Sequence, residues 1–166
     1  MMRLAFFFSA LLALTGCGLQ PLYGGGPSGV VATMLRSVEV SPIPDRTGWL
    51  LHNKLVDRLG ASGSARPAYR LDVTLDDNIT SFGIRTDQAA TRERRTLRAR
   101  YQLVDLASGT VVLDATAGSD AGIDIVSSEY ATVAAEQTAA ENLAEVVADQ
   151  IVARLGAFAQ HAAANR

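Results

Sequence analysis

Residues 92–104 carry the pattern that most restricts the fold, because polar and apolar side chains alternate from Thr96 to Leu103 and arginines continue the outward positions before them. The apolar positions are Leu97, Ala99, Tyr101 and Leu103, and most of the polar positions between them are arginines. Successive side chains of a strand point to opposite faces, so the segment predicts a strand with one buried and one wet face. Residues 69–76 and 110–117 alternate in the same way. Three such strands predict an antiparallel sheet covered on one side.

Two helices are predicted to supply that cover. The first begins at Asp45 or Thr47 and ends at Gly60, and the second runs from Ser128 to Gln160; each has an apolar stripe at helical spacing. A short strand over residues 37–40 precedes them, which gives the order β-α-β-β-β-α. The simplest fold is an α+β two-layer sandwich, in which a four-stranded, mainly antiparallel sheet carries two helices on one face.

The first residues predict export. Arg3 precedes a largely apolar run over residues 4–14, which is typical of a secretory signal peptide and is shorter than the roughly 20 residues that span a bilayer. The run ends in a sequence that resembles the lipobox of bacterial lipoproteins, Leu14-Thr15-Gly16-Cys17. We therefore expect cleavage before Cys17 and a covalent diacylglyceryl and N-acyl lipid, such as palmitate, on that cysteine. Gly18 follows it, which by the lipoprotein sorting rule indicates the outer membrane.

These features divide the chain into four parts. Residues 1–16 are the predicted signal peptide, and residues 17–34 are the lipidated cysteine with a flexible tether rich in glycine and proline. Residues 35–160 form one sandwich domain, a size that needs no disulfide or metal to stabilise it. Residues 161–166 are expected to be a frayed C-terminus.

Charge and motifs exclude several classes of function. The net charge of −2 gives no bulk attraction to nucleic acid. The two histidines, His52 and His161, lie far apart in the sequence, and no motif for a metal site, a catalytic nucleophile or a phosphate-binding loop occurs. We therefore expect neither an enzyme nor a metal site, and no cofactor other than the covalent lipid.

Arginines are concentrated at one end of the central predicted strand. Six arginines and two acids lie between residues 85 and 100. A guanidinium group binds phosphate and carboxylate in a bidentate manner. Arg92, Arg94 and Arg95 lie at the open end of the sheet, beyond its acids, and are the candidate ligands for phosphate or sugar-acid groups. The alternative, favoured for Arg98 and Arg100, is pairing across the sheet with acids of neighbouring strands. Those acids are Asp72, Asp76 and Asp114.

The mature N-terminus resembles a known family. Its first residues are similar to those of LptE, the lipopolysaccharide-assembly lipoproteins, and so are the element order, the strand over residues 100–105 and the late helix over residues 149–155. The matching N-terminal residues are Cys17-Gly18-Leu19-Gln20-Pro21-Leu22-Tyr23. This resemblance implies a two-layer sandwich in the cell outer membrane that faces the periplasm, plugs the LptD β-barrel and binds lipopolysaccharide during its transport. It also implies that Arg92, Arg94 and Arg95 contact the lipid A phosphates.

An alternative interpretation is that the protein is a lipid-anchored periplasmic binding module of another class, such as an auxiliary exporter lipoprotein or an inhibitor of a cell-wall enzyme. Both interpretations account equally for the lipobox and the small domain. Co-purification with a large outer-membrane barrel would distinguish the two.

Overall fold

A computed structural model of the chain describes residues 29–60, 67–84, 90–125 and 128–164. Over these residues it has an α+β fold, as the sequence predicts. Its helices and strands are α1 (Val30–Arg36), β1 (Val38–Val40), α2 (Asp45–Leu59), β2 (Tyr69–Ile84), β3 (Ala90–Asp105), β4 (Val111–Asp124) and α3 (Glu129–Ala164).

The four strands form one sheet in the order β1-β2-β3-β4. The pairs β2–β3 and β3–β4 are antiparallel, as predicted, and Leu103 lies between Leu71 and Leu113 in their register. The short strand β1 runs parallel to β2. Helix α2 connects these two strands, and a helical crossover of this kind returns the chain to the same end of the sheet, so a parallel pair results.

The core lies between the sheet and the helices. The predicted alternation in β3 is confirmed, because Leu97, Ala99, Tyr101 and Leu103 are all at most 2% exposed. The residues that cover them from the helical layer share helical spacing and are fully or almost fully buried. They are Leu51, Leu55 and Leu59 of α2 and Val147, Ile151 and Leu155 of α3.

The described residues contain a third helix that the sequence analysis did not predict. Helix α1 begins at Val30, although the tether was expected to continue to residue 34. Leu35 is 2% exposed, and Val31 and Met34 pack against the same core. This spacing places the three side chains on one helix face, and packing against α3 stabilises a segment whose own helix propensity is modest. The hydroxyl of Ser37 then donates to the Met34 carbonyl at 2.7 Å and ends the helix.

The outer strands are longer than the alternating pattern predicts. β2 was expected to end at Asp76 and β4 at residue 117, with a loop over residues 118–124, whereas the strands continue to Ile84 and Asp124. Backbone pairing with β3 continues beyond the apolar positions and extends both strands. Residues 161–164, expected to be frayed, are helical. The signal peptide, Cys17, tether residues up to 28 and hairpin residues 85–89 lie outside the described residues.

Candidate functional site

The arginine-rich segment lies where β2, β3 and β4 extend past the buried part of the helical layer. We call this region the distal end of the sheet, formed by residues 76–84 of β2, 90–98 of β3 and 118–124 of β4. In residues 76–83, 92–98 and 118–124, the even-numbered side chains face away from the helices, on what we call the outer face, and the odd-numbered ones share the inner face with Leu97. The two faces of the distal end carry different chemistry.

Arg94 lies on the outer face and is exposed. Its guanidinium carbon is 5.6 Å from the centre of the Phe82 ring, a distance at which a cation is attracted to the face of an aromatic ring. On its other side, Arg94 is opposite Gly122, where an added β-carbon would meet nothing within 4 Å. Arg94 forms no ion pair with any residue that the structure describes. Its hydrogen-bond donors therefore remain available to an external anion.

Arg92 lies two residues away on the same face and forms one solvent-exposed ion pair. Its Nε donates to Oδ1 of Asp124 at 2.8 Å, and the two side chains are 64% and 74% exposed. Solvent screens a pair of this kind, which contributes little to stability. A phosphate group can therefore compete with Asp124 for the Arg92 guanidinium.

Arg95 lies on the inner face, so the structure does not bring it together with the other two candidates. Its Nε and Nη2 donate to both carboxylate oxygens of Asp77, at 2.9 and 2.6 Å. Nη1 donates to the Glu136 carbonyl at 2.9 Å, and Nη2 also reaches the Thr47 hydroxyl at 3.1 Å. The Arg95 side chain is only 14% exposed. Of the three candidate phosphate ligands, Arg92 and Arg94 therefore share a face and Arg95 does not.

This network also sets the charge state of its carboxylate. The hydrogen bonds from Arg95 hold the pKa of Asp77 below its usual range, and the Thr47 hydroxyl adds to the effect, while burial opposes it. We call the group of Arg95, Asp77, Thr47 and the Glu136 carbonyl the inner-face clamp. It joins β2 and β3 to the start of α2 and to α3.

The arginines in mid-strand pair across the sheet, as the alternative prediction held. Arg100 Nη2 lies 2.9 Å from Oδ2 of Asp114, one of the expected acids. Arg98 Nη2 lies 3.0 Å from Oδ1 of Asp120, although Asp76 is directly opposite Arg98 in the register. Thr96 also donates to Asp120, and these contacts lower the pKa of Asp120, the Thr96 hydrogen bond contributing most. Asp120 is thus paired with Arg98, and Arg94 interacts with it only through the electrostatic attraction that also lowers its pKa.

The outer face of the distal end contains an open groove of about 610 Å³. It is lined mainly by Phe82, Arg92, Arg94, Asp120, Gly122 and Asp124. Sequence reasoning found the two arginines but missed Phe82 and Gly122, which the same even-numbered parity places beside them. A third acid of the lining, Glu93, lies at an inner-face position and accepts a hydrogen bond from the Ser81 hydroxyl at 3.1 Å. Asp120 and Asp124 have arginine partners, and Arg94 is the arginine of the groove without an ion pair among the described residues. The arrangement suits non-covalent binding of an anion that carries apolar groups.

Within the described ranges, no three histidine, cysteine, aspartate or glutamate side chains lie close enough together to hold a metal ion. None of the helices described by the structure is both long and apolar enough to cross a bilayer.

Comparison with known proteins identifies the family. A family model for lipopolysaccharide assembly, LptE, matches residues 35–155. The chain belongs to the LptE family. The N-terminal heptad of the sequence resemblance lies before the matched residues, whereas the strand over residues 100–105 and the late helix over residues 149–155 lie within them. This LptE-family protein is a membrane-associated lipoprotein of lipopolysaccharide assembly.

Solved lipoprotein structures share the fold of this LptE-family chain. A lipoprotein from Caulobacter crescentus is 26% identical with a TM-score of 0.65, and the alignment covers 80% of this chain and 98% of that one. The minor lipoprotein from Acinetobacter baumannii is 16% identical with a TM-score of 0.59, over 72% and 90% of the two chains. Rare lipoprotein B from Shewanella oneidensis is 10% identical with a TM-score of 0.55, over 73% and 92%. The last two similarities concern the fold alone. No curated protein sequence matches the chain.

Proposed function

We propose that this LptE-family lipoprotein is held in the outer membrane by lipid on Cys17, binds lipopolysaccharide, and acts as plug and partner of an LptD-type β-barrel. In this proposal it is not an enzyme and carries no cofactor beyond the covalent lipid. Family membership supports the role in assembly. The observation that carries the binding proposal is Arg94, an exposed arginine without an ion-pair partner among the described residues, which lines an open groove.

The chemistry of lipopolysaccharide matches the groove. Its lipid A carries phosphate groups next to acyl chains, and the groove places a guanidinium beside an exposed aromatic ring. Phe82 orders the Arg94 side chain in advance, which reduces the entropy lost when the arginine binds phosphate. Arg92 can supply a second set of donors by releasing its exposed pair with Asp124. A charge-assisted hydrogen bond contributes about 1.5–3 kcal/mol, and less where solvent screens it.

The test is to replace Arg92 and Arg94 together by alanine and to measure lipopolysaccharide binding and thermal unfolding on the same preparation. We expect affinity to fall by about tenfold or more while the unfolding midpoint stays nearly unchanged, because neither side chain is packed in the core. Raising the salt concentration should reproduce part of the loss. Arg94→Lys keeps the charge but loses the planar group over Phe82, so it should bind at an intermediate level.

Arg100→Ala is the matched control. Arg100 lies on the same strand and the same face, but it is paired with Asp114 and lies outside the groove. It should keep the affinity of the wild type. Equal binding by the double variant and the wild type would exclude the groove as the lipopolysaccharide site. The partner is tested separately by a pull-down from detergent-solubilised outer membrane, in which absence of an LptD-type barrel would favour a binding module of another class.

A further inference from the structure

One long edge of the sheet has no neighbouring strand among the described residues. β1 pairs only with Tyr69–Leu71 of β2, and the backbone N–H of Ser41 adds one more hydrogen bond to the Leu71 carbonyl, at 3.0 Å. No strand in the described part of the chain lies beside β2 after this point. The register with β3 continues without a bulge to Phe82. The Leu71 carbonyl points away from β3, and this direction recurs at every second residue of an antiparallel strand. The odd-numbered residues from 73 to 81 therefore also point their N–H and C=O groups away from β3.

The opposite edge of the sheet is covered at the corresponding place. On β4, the side-chain amide of Gln150 accepts a hydrogen bond from the Gly118 N–H at 3.0 Å and donates to the Gly118 carbonyl at 3.3 Å. This α3 side chain takes the place of a neighbouring strand. Proteins usually protect an edge with such a cover, or with proline, lysine or a bulge. Residues 73–84 of β2 have no proline or lysine, their charged residues are confined to Asp76 and Asp77, and residues 78–83 are all exposed.

Charge at the open edge indicates what an added strand would carry. Asp76 lies on the outer face and receives a hydrogen bond from Asn78 at 2.6 Å, but no arginine among the described residues pairs with it. The other acids of that face on β2 and β4 each have an arginine: Asp72 has Arg70, Asp114 has Arg100, Asp120 has Arg98 and Asp124 has Arg92. Ile79 on the inner side and Phe82 on the outer side are 43% and 41% exposed. The edge thus offers one uncompensated carboxylate and an apolar contact on each face.

We propose that the edge of β2 from Asp76 to Phe82 is a strand-addition site. It pairs with an extended segment of the barrel partner, which places a basic residue next to Asp76 and an apolar residue against Ile79. Backbone hydrogen bonds to the odd-numbered residues supply the binding, and the two side-chain contacts supply the register. This inference rests on the proposed function for the identity of the partner, and it adds the surface and the mode of binding.

The test is Ile79→Pro in the full-length lipoprotein, produced in cells that contain its barrel partner. Proline removes the outward N–H of residue 79, whereas the hydrogen bonds to β3 involve the even-numbered residues and are kept. Thr116→Pro is the matched control, because Thr116 is exposed and, like Gly118, points its N–H to the β4 edge. We expect barrel recovery with tagged protein to fall at least about tenfold for Ile79→Pro and to stay at the wild-type level for Thr116→Pro.

A second measurement does not depend on how well proline is tolerated. A photo-crosslinking benzoylphenylalanine at position 79 should form an adduct with the barrel, and the same group at position 116 should not. Unchanged recovery with Ile79→Pro and no adduct at position 79 would overturn strand addition, while barrel recovery by the wild type would leave the proposed function standing. Failure of the wild type to recover any barrel would instead refute the proposed function. An adduct between two copies of this chain would overturn the choice of partner.

Discussion

The inner-face clamp makes a quantitative prediction for Arg95→Met, which keeps most of the aliphatic stem but removes the guanidinium. The substitution deletes hydrogen bonds to Asp77, Thr47 and the Glu136 carbonyl. It leaves the Asp77 carboxylate, whose side chain is only 22% exposed, with the Thr47 hydroxyl as its remaining partner in the described structure. We therefore expect Arg95→Met to destabilise the domain.

The size of this loss of stability follows from the burial of the Arg95 and Asp77 side chains. Removing one member of a fully buried ion pair costs about 3–5 kcal/mol, whereas breaking an exposed pair costs about 0–1 kcal/mol. The clamp lies nearer the buried limit, since its two side chains are 14% and 22% exposed. We expect a loss of about 2–3 kcal/mol in the free energy of unfolding, which lowers the thermal midpoint of a domain of this size by roughly 6–15 °C.

Arg100→Met is the control, because Arg100 lies on the same strand in an ion pair whose side chains are 66% and 39% exposed. Chemical denaturation of both variants should show a clear loss of stability for Arg95→Met only. A double-mutant cycle with Asp77→Ala should give a coupling energy of about 1–3 kcal/mol between Arg95 and Asp77. Equal stability of the two methionine variants, with no coupling in the cycle, would refute the assignment of Arg95 as a structural residue.

The same clamp predicts a dependence of stability on pH. The pKa of Asp77 is lowered in the folded protein, mainly by its hydrogen bonds from Arg95. Its contribution is therefore fully present above the unfolded pKa, near 3.9, and is lost as the pH falls through the lower folded value. Denaturation midpoints measured from pH 6 down to pH 2 should fall less steeply in Asp77→Ala than in the wild type. Parallel curves for the two proteins would contradict this account of the carboxylate.

Three further substitutions test the core, the sheet and the anchor. Leu103→Ala should cost about 2–5 kcal/mol by leaving a cavity, measured by denaturation, because Leu103 is completely buried. Gly118→Ala should lower the thermal midpoint, since its β-carbon would lie 2.5 Å from Cδ of Arg98, whereas Gly122→Ala meets nothing within 4 Å and should not. Cys17→Ser should give a soluble or uncleaved protein on membrane fractionation, and firm membrane binding of the mature variant would exclude lipidation at that residue.

The sheet and its core could be predicted because the signal is local. Leu97, Ala99, Tyr101 and Leu103 alternate with polar residues, and this alternation alone determines which face is buried. The same parity would have placed Arg95 on the inner face with Leu97, apart from Arg92 and Arg94. Grouping the three arginines by their proximity in sequence ignored that parity, although it was present in the sequence.

Other features depend on contacts between distant residues, which no local pattern reports. Helix α1 follows a glycine-rich stretch and is stabilised by burial of Leu35 against the core. Beyond Asp76 the apolar alternation of β2 ceases, and the strand continues because its backbone still pairs with β3. The partner of Arg98 is a third example. Asp120 lies in a segment that the sequence predicts as a loop, and only the pairing of that segment with β3, as part of β4, brings Asp120 next to Arg98.

The alternation of β2 ceases, and the groove lies, at the same place: where the strands extend past the buried part of α3. The first buried residue of α3 is Ala139, and the helix before it is mostly exposed, with Tyr130 85% exposed. The inner face of the distal end still buries Leu97 and Ile123, but it also carries the Arg95–Asp77 pair, where the core has leucine and alanine. On the outer face, Asp120 and Asp124 pair with Arg98 and Arg92, which leaves Arg94 without an ion pair among the described residues. A strand that extends past its helices thus becomes both harder to recognise in the sequence and better suited to binding.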